Sequence, residues 1–200
     1  MAIRAFPNWE ELYRQSSTES MPWYYPELDP DLERGLAEQG ILQGAVLDLG
    51  TGPGTQAIAL AERGFEVTAT DISEAAIAKA NERAAAHRIG VRFLVDDILA
   101  SKLDRSFEAV FDRGCFHVLD PASHRDYVAT VAALLAPGGF LFLKCFSDAE
   151  PGTQGPYRFR PEEIRGIFGA AFEVLSIVRT VYQGTLVPRP QALFCILRKR

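Results

Sequence analysis

Cysteine and histidine are scarce, three of each among 200 residues. Cys115, Cys145 and Cys195 are scattered and odd in number, so they give neither metal-ligand spacing nor a disulfide framework. This usage fits a reducing compartment, and cytoplasmic is the expectation. No apolar run approaches the roughly 20 residues that a membrane span needs. The opening stretch, Met1-Ala2-Ile3-Arg4-Ala5-Phe6-Pro7-Asn8-Trp9, lacks the charged-then-apolar layout of a signal peptide. Positive charge is short as well. Lys and Arg number 21 against 26 Asp and Glu, a net charge of -5. Apart from the Arg198-Lys199-Arg200 end no basic stripe appears, so a nucleic acid partner is not expected.

What is present is an ordinary globular composition, 48% hydrophobic, with a mean hydropathy of -0.01. The length suits one domain with a substantial core. The most informative stretch is Val46-Leu47-Asp48-Leu49-Gly50-Thr51-Gly52-Pro53-Gly54. Apolar residues around one carboxylate read as the end of a buried strand. Glycines at alternate positions then let the backbone turn and approach a ligand. Thr55 onward reads as a helix. A dinucleotide site calls for G-x-G-x-x-G with a helix N-terminus aimed at a pyrophosphate. Here Thr55 stands where that spacing needs its last glycine.

From Ala45 strands and helices alternate. Strands are expected at Ala45–Leu49, Glu66–Thr70, Val91–Val95, Phe107–Phe111, Phe140–Cys145, Phe172–Thr180 and Ala192–Arg198. Helices are expected at Thr55–Arg63, Ser73–His87, Ser123–Leu135 and Pro161–Phe168. Ser73 and Ser123 are N-caps; Gly64 and Pro137-Gly138-Gly139 are stops. Mostly apolar strands between helices imply a parallel sheet covered on both faces. Only Tyr182–Pro188 separates the last two strands, which suggests an antiparallel ending. The expected fold is α/β: a doubly wound, Rossmann-like, seven-stranded sheet in a three-layer α/β/α arrangement. Residues 44–200 form its core. Residues 1–43, rich in Trp, Tyr and Pro, read as an N-terminal cover containing a helix. Asp29 caps that helix, Pro30 is its first residue and Gly40 is its stop.

The Asp48-x-Gly50-x-Gly52-x-Gly54 pattern resembles motif I of the class I S-adenosylmethionine-dependent methyltransferases. The antiparallel ending resembles their version of the sheet. The resemblance implies S-adenosyl-L-methionine as cofactor, a ligand with a sulfonium, an amino-acid end and a ribose but no phosphate. It implies cofactor contacts from Asp48, Gly50, Thr51, Gly52 and Gly54. Asp71, at the second strand's end, suits a ribose diol or an N-cap-like role at the next helix; Ile72 follows it. In the family an acidic residue followed by an apolar one meets the adenine. Asp97 with Ile98 fits that better than Asp96.

The Asp112-Arg113-Gly114-Cys115-Phe116-His117 loop ends the fourth strand, beside the crevice flanked by the first. Arg113 suits a cofactor carboxylate, Asp112 or a helix end. His117 stands where a general base sits, or is a structural hydrogen-bonder. Cys115 reads as a small core residue rather than a nucleophile. A soft, already anionic acceptor needs little base catalysis in an in-line displacement.

More loosely, the chain resembles the small thiopurine-methyltransferase-like and tellurite-resistance-like branch. Pro22-Trp23, the loop from Asp112 to His117, and Gly155-Pro156-Tyr157-Arg158-Phe159 carry this resemblance. It implies an N-terminal segment over the cofactor, with Trp23 in contact, and a small, soft methyl acceptor. The chain is shorter than the thiopurine enzymes, so their acceptor does not transfer. The expected partner is a small-molecule acceptor, and the expected state a monomer or homodimer. Three rivals stand beside this reading. A nicotinamide-dependent oxidoreductase is disfavoured by Thr55 and by the absence of a Tyr-x-x-x-Lys pair. A non-catalytic cofactor-binding protein and a methyltransferase acting on protein remain.

Overall fold

The computed structural model describes Arg4 and residues 6–200. The signal-peptide expectation rests partly on residues 1–3 and 5, outside the described residues. The strands are β1 (Ala45–Leu49), β2 (Glu66–Asp71), β3 (Arg92–Val95), β4 (Phe107–Arg113), β5 (Leu135–Ser147), β6 (Arg158–Phe159), β7 (Phe172–Val181) and β8 (Gln191–Lys199). They lie in the order β3-β2-β1-β4-β5-β8-β7, with β6 beside β5. The strands from β3 to β5 pair in parallel, while β8 is antiparallel to both β5 and β7. The doubly wound sheet with an antiparallel last strand is therefore as expected. Its eighth strand, the two-residue β6, was not foreseen.

The helices are α1 (Trp9–Gln15), α2 (Pro30–Glu38), α3 (Thr55–Glu62), α4 (Glu74–His87), α5 (His124–Leu134) and α6 (Pro161–Phe168). Leu32 and Leu36 of α2 and Ala57 and Leu60 of α3 pack with Phe111, Phe142 and Phe194 on one sheet face. Val131 of α5 and Ile164 and Phe168 of α6 pack with Leu47, Val110 and Leu143 on the other. β1 is buried along its whole length, as a central parallel strand should be.

Asp29 caps α2 as expected, its side chain accepting from Asp31 N–H, and Ser73 caps α4 through Ala76 N–H. Two expectations need correction. Ser123 makes no side-chain cap; a 3-10 turn, Pro121–Ser123, precedes α5 and is capped by Asp120. The Pro137-Gly138-Gly139 stretch does not stop a helix. The chain is already in β5 there, because Leu135 pairs with Phe107 across a register shift.

A buried charge cluster fixes α2 to the sheet. Lys144, toward the C-terminal end of β5, is fully enclosed. Its Nζ donates to both Asp29 oxygens and to Asp31 Oδ2, each at 2.8 Å. Arg113 Nε donates to Asp29 Oδ2 at 2.9 Å, and Thr180 Oγ1 donates to Asp31 Oδ2 at 2.8 Å. Burial pushes the Asp31 carboxyl up, but Lys144, Thr180 and Arg34 outweigh it and hold it below the usual range. The two anions are met by two buried cations, Lys144 and Arg113, and by Arg34 at the rim, with every partner close, the condition under which buried charge is tolerated.

Lys144→Met keeps most of the volume and removes the cation that Asp29 and Asp31 share, leaving each carboxylate with one arginine only. It should cost about 3–5 kcal/mol of unfolding free energy in urea titration. A loss under about 1 kcal/mol would mean that water reaches the cluster.

Candidate active site

The glycine turn leaves β1 and opens α3. Gly50, Gly52 and Gly54 take φ values of 68°, 53° and 77°, which side chains resist. Their surroundings differ. A Cβ on Gly50 would press on Cys115, and one on Gly54 on Ala80 and Phe93. These two glycines serve close packing. A Cβ on Gly52 would lie 2.5 Å from Tyr13 Oη. Gly52 thus turns its bare backbone toward the N-terminal cover.

That cover is fastened over the turn. Tyr13 of α1 is buried and packs with Met21, Trp23 and Ala76. Burial and the Asp71 charge raise its hydroxyl pKa. Trp9 and Trp23 meet edge to face at 5.9 Å. Glu10 accepts from Ser73 Oγ at 2.8 Å and from Ala75 N–H at 3.0 Å, at the start of α4. The Ala75 N–H, then Ser73 and Arg14, hold its carboxyl down to about 2. Lys79 donates to Ser16 O, and Arg83 to Thr18 and Glu19.

Three carboxylates at the strand ends stand beside the turn, and a fourth, Asp97, lies in the loop after β3. Asp48 accepts from Thr51 Oγ1 at 2.5 Å, and burial pushes its carboxyl up to about 6. Asp71 accepts from Gly52 N–H at 2.8 Å and Ser73 N–H at 2.9 Å. It therefore ties the turn to Ser73, which itself caps α4, and burial raises its pKa. Asp112 is the most saturated. It accepts from the N–H groups of Gly114, Cys115 and Phe116 and from Tyr127 Oη at 2.6 Å. It shapes the loop after β4. Asp97 accepts from Leu99 N–H at 2.9 Å, with Ile98 buried beneath it. Burial raises the half-buried Cys115 thiol well above its usual range, and Asp112, Asp71 and Asp97 add to the effect. Ile72 is 57% exposed beside Asp71.

Arg113 takes the helix-end role through Asp29, the cap of α2, rather than through Asp112. Its other nitrogens donate to Trp23 O at 3.0 Å and to Gln183 O. With its fork committed to three partners it braces the cover. His117 takes the hydrogen-bonding role. Its Nδ1 accepts from Phe146 N–H at 3.1 Å. Burial, then Arg113, lower its pKa to about 3. A neutral ring with Nδ1 occupied carries its proton on Nε2 and has no free basic nitrogen.

Sequence reasoning passed over Lys144, Glu10, Tyr13 and Tyr182. Lys144 did leave a signal, a lone charge in the apolar run from Phe140 to Phe146. Nothing local marked Tyr13 as a group that meets the turn, or Glu10 as one that meets the start of α4.

Comparisons with known proteins agree with this geometry. Residues 46–139 match the methyltransferase domain family. An uncharacterized methyltransferase of Schizosaccharomyces pombe is 34% identical over 116 residues, 56% of this chain and 79% of that protein. The 2-heptyl-1-hydroxyquinolin-4(1H)-one methyltransferase of Mycobacteroides abscessus is 30% identical over 176 residues, 84% of this chain and 77% of that protein. The chain belongs to the class I S-adenosylmethionine-dependent methyltransferases. A structure solved for the conversion of a disulfide bond into a thioacetal group during echinomycin biosynthesis superposes with a TM-score of 0.82 at 25% identity. It covers 95% of this chain and 91% of that one.

S-adenosylmethionine is the cofactor of the family to which the chain belongs, and the residues present suit it. Asp48, Asp71 and Asp112 stand at the strand ends beside the turn, and the cation that acts on Asp48, Arg113, is tied to Asp29. Such a setting favours a sulfonium and an ammonium and disfavours a pyrophosphate. Among the described residues no helix is long and apolar enough to cross a membrane.

Gly52→Ala introduces both a strained φ and a collision with Tyr13. It should weaken calorimetric binding of S-adenosylhomocysteine at least about tenfold while circular dichroism shows an intact fold. Unchanged affinity in the folded variant would remove the turn from the site.

Proposed function

We propose that this methyltransferase acts on a small molecule that brings its own soft nucleophile, a thiol above all. S-adenosylmethionine supplies the methyl group when bound. Asp48 and the Gly50–Gly54 turn hold its amino-acid end, Asp71 its ribose, and Ile72 with Asp97 and Ile98 its adenine. Trp23 and Tyr13 close over it and exclude water. The acceptor's thiolate sulfur forms the new S–C bond as the sulfonium S–C bond breaks, and the thiol proton goes to water.

One observation carries this reading. The loop beside the crevice offers no free base: Asp112 is saturated by four donors, His117 is neutral with Nδ1 engaged, and the Cys115 thiol is held protonated. An acceptor that ionises in water needs none. The neighbour that accompanies conversion of a disulfide into a thioacetal also concerns sulfur chemistry. The substrate for which the Mycobacteroides relative is named is a small hydroxylated heterocycle, which supports a small acceptor. The free cysteines of this chain accord with a cytoplasmic setting, where thiols stay reduced.

Labelled methyl transfer to a panel of small thiols, halides and phenols tests the reading. Thiols should be methylated best. With no protein base, kcat/KM should climb roughly tenfold per pH unit below each thiol's own pKa, about 8.5 for a cysteine-like thiol. His117→Asn should leave the shape of that profile unchanged. A plateau set near neutral pH in the wild type, lost in His117→Asn, would make the histidine a base. No transfer to any thiol would end the thiol assignment.

A further inference from the structure

The connection between β7 and β8, residues 182–190, has a fixed base and a bare tip. At the base, the Tyr182 ring lies 5.6 Å from His117 and 5.2 Å from Phe146. Its hydroxyl donates to Lys144 O at 2.5 Å. Gln183 O accepts from Arg113, which also holds Trp23 O. Gly184 lies so close to Pro22 O that a Cβ has no room. Thr185 N–H donates to Pro22 O at 3.0 Å and its hydroxyl to Met21 O at 3.3 Å. The connection is thus laced to the cover and to the loop after β4, at the site itself.

Beyond Thr185 the side chains turn apolar and outward. Leu186 is 45% exposed and Val187 95%. Pro188 and Arg189 follow, both exposed, and Arg189 lies near enough to Tyr25 to act on its hydroxyl. Turn tips are ordinarily built from Gly, Asn, Asp and Ser. This tip exposes hydrocarbon to water while its base is held rigid, and the fold makes no use of it.

We propose that Leu186 and Val187 form an apolar shelf at the mouth of the site, which takes the hydrocarbon part of the methyl acceptor. The proposal rests on the reading of the acceptor as a small molecule. Continuity places the shelf: from Gly52 through Tyr13, Trp23 and Pro22 to Thr185, each residue meets the next. Other occupants fit less well. Two side chains fall far short of the roughly 800 Å² per partner of a stable interface between copies. A net charge of -5 opposes an anionic lipid surface.

The test is a series of straight-chain thiols from ethanethiol to octanethiol. For the wild type, kcat/KM should rise about two- to fourfold per added methylene. In a Leu186→Ser, Val187→Ser double variant that rise should flatten, with kcat for ethanethiol and affinity for S-adenosylhomocysteine unchanged. In parallel, calorimetry on protein loaded with S-adenosylhomocysteine measures binding of the matching alkyl methyl sulfides. Chain-length-dependent binding that the double variant loses supports the shelf even if no thiol is methylated, in which case only the thiol assignment falls. A wild-type series without slope, or a slope the double variant keeps, overturns the shelf. A changed sedimentation coefficient in the double variant also overturns it, by making the tip an interface between copies.

Discussion

Lys144 is a cation shut away from solvent. It sits toward the C-terminal end of β5, and its charge is balanced by Asp29 and Asp31, which lie 115 and 113 residues away in sequence. An isolated ammonium in that position would cost several kcal/mol, so the strand tolerates it only if the carboxylates arrive. They arrive on the first turn of α2. The same Asp29 takes Arg113 from the end of β4, and Arg113 reaches on to Trp23 and Gln183. One buried ion therefore fixes α2, the cover, the loop after β4 and the connection between β7 and β8 relative to one another. These are the parts that border the glycine turn.

The turn is acidic as well as bare. Its carboxylates are spent largely on backbone N–H groups, so they shape the crevice while leaving negative charge in it. A cationic donor fits such a place, and the tied arginine does not cancel it. The chemistry asked of the protein is then modest: hold two partners in line, keep water out, and leave the proton to the acceptor.

Much of this was legible in the chain. β1 and α6 begin and end where their patterns predict, because burial on both sides and a Pro at the helix start leave local signals. The glycine spacing led to the family. The boundary between α5 and β5 was misread because Leu135 is claimed by Phe107, a partner far away in sequence. Asp29 was legible as a cap but not as an ion-pair partner, since a cap is local and the pair is not. His117 was ambiguous for the same reason: the Phe146 N–H that fixes its ring comes from another strand. Tyr13 over Gly52 is likewise a product of the tertiary fold.

The central claim is that the donor lies along the turn at Gly52, beneath the aromatic cover that the buried charge cluster positions. A crystal structure of the complex with S-adenosylhomocysteine tests it most directly. The account predicts the homocysteine end against Gly50–Gly54, the ribose beside Asp71, and Tyr13 and Trp23 in contact with the ligand. Density instead in the depression of about 650 Å³ formed by Gly40–Gln43 and Ala136–Phe140, with the turn unengaged, would contradict it.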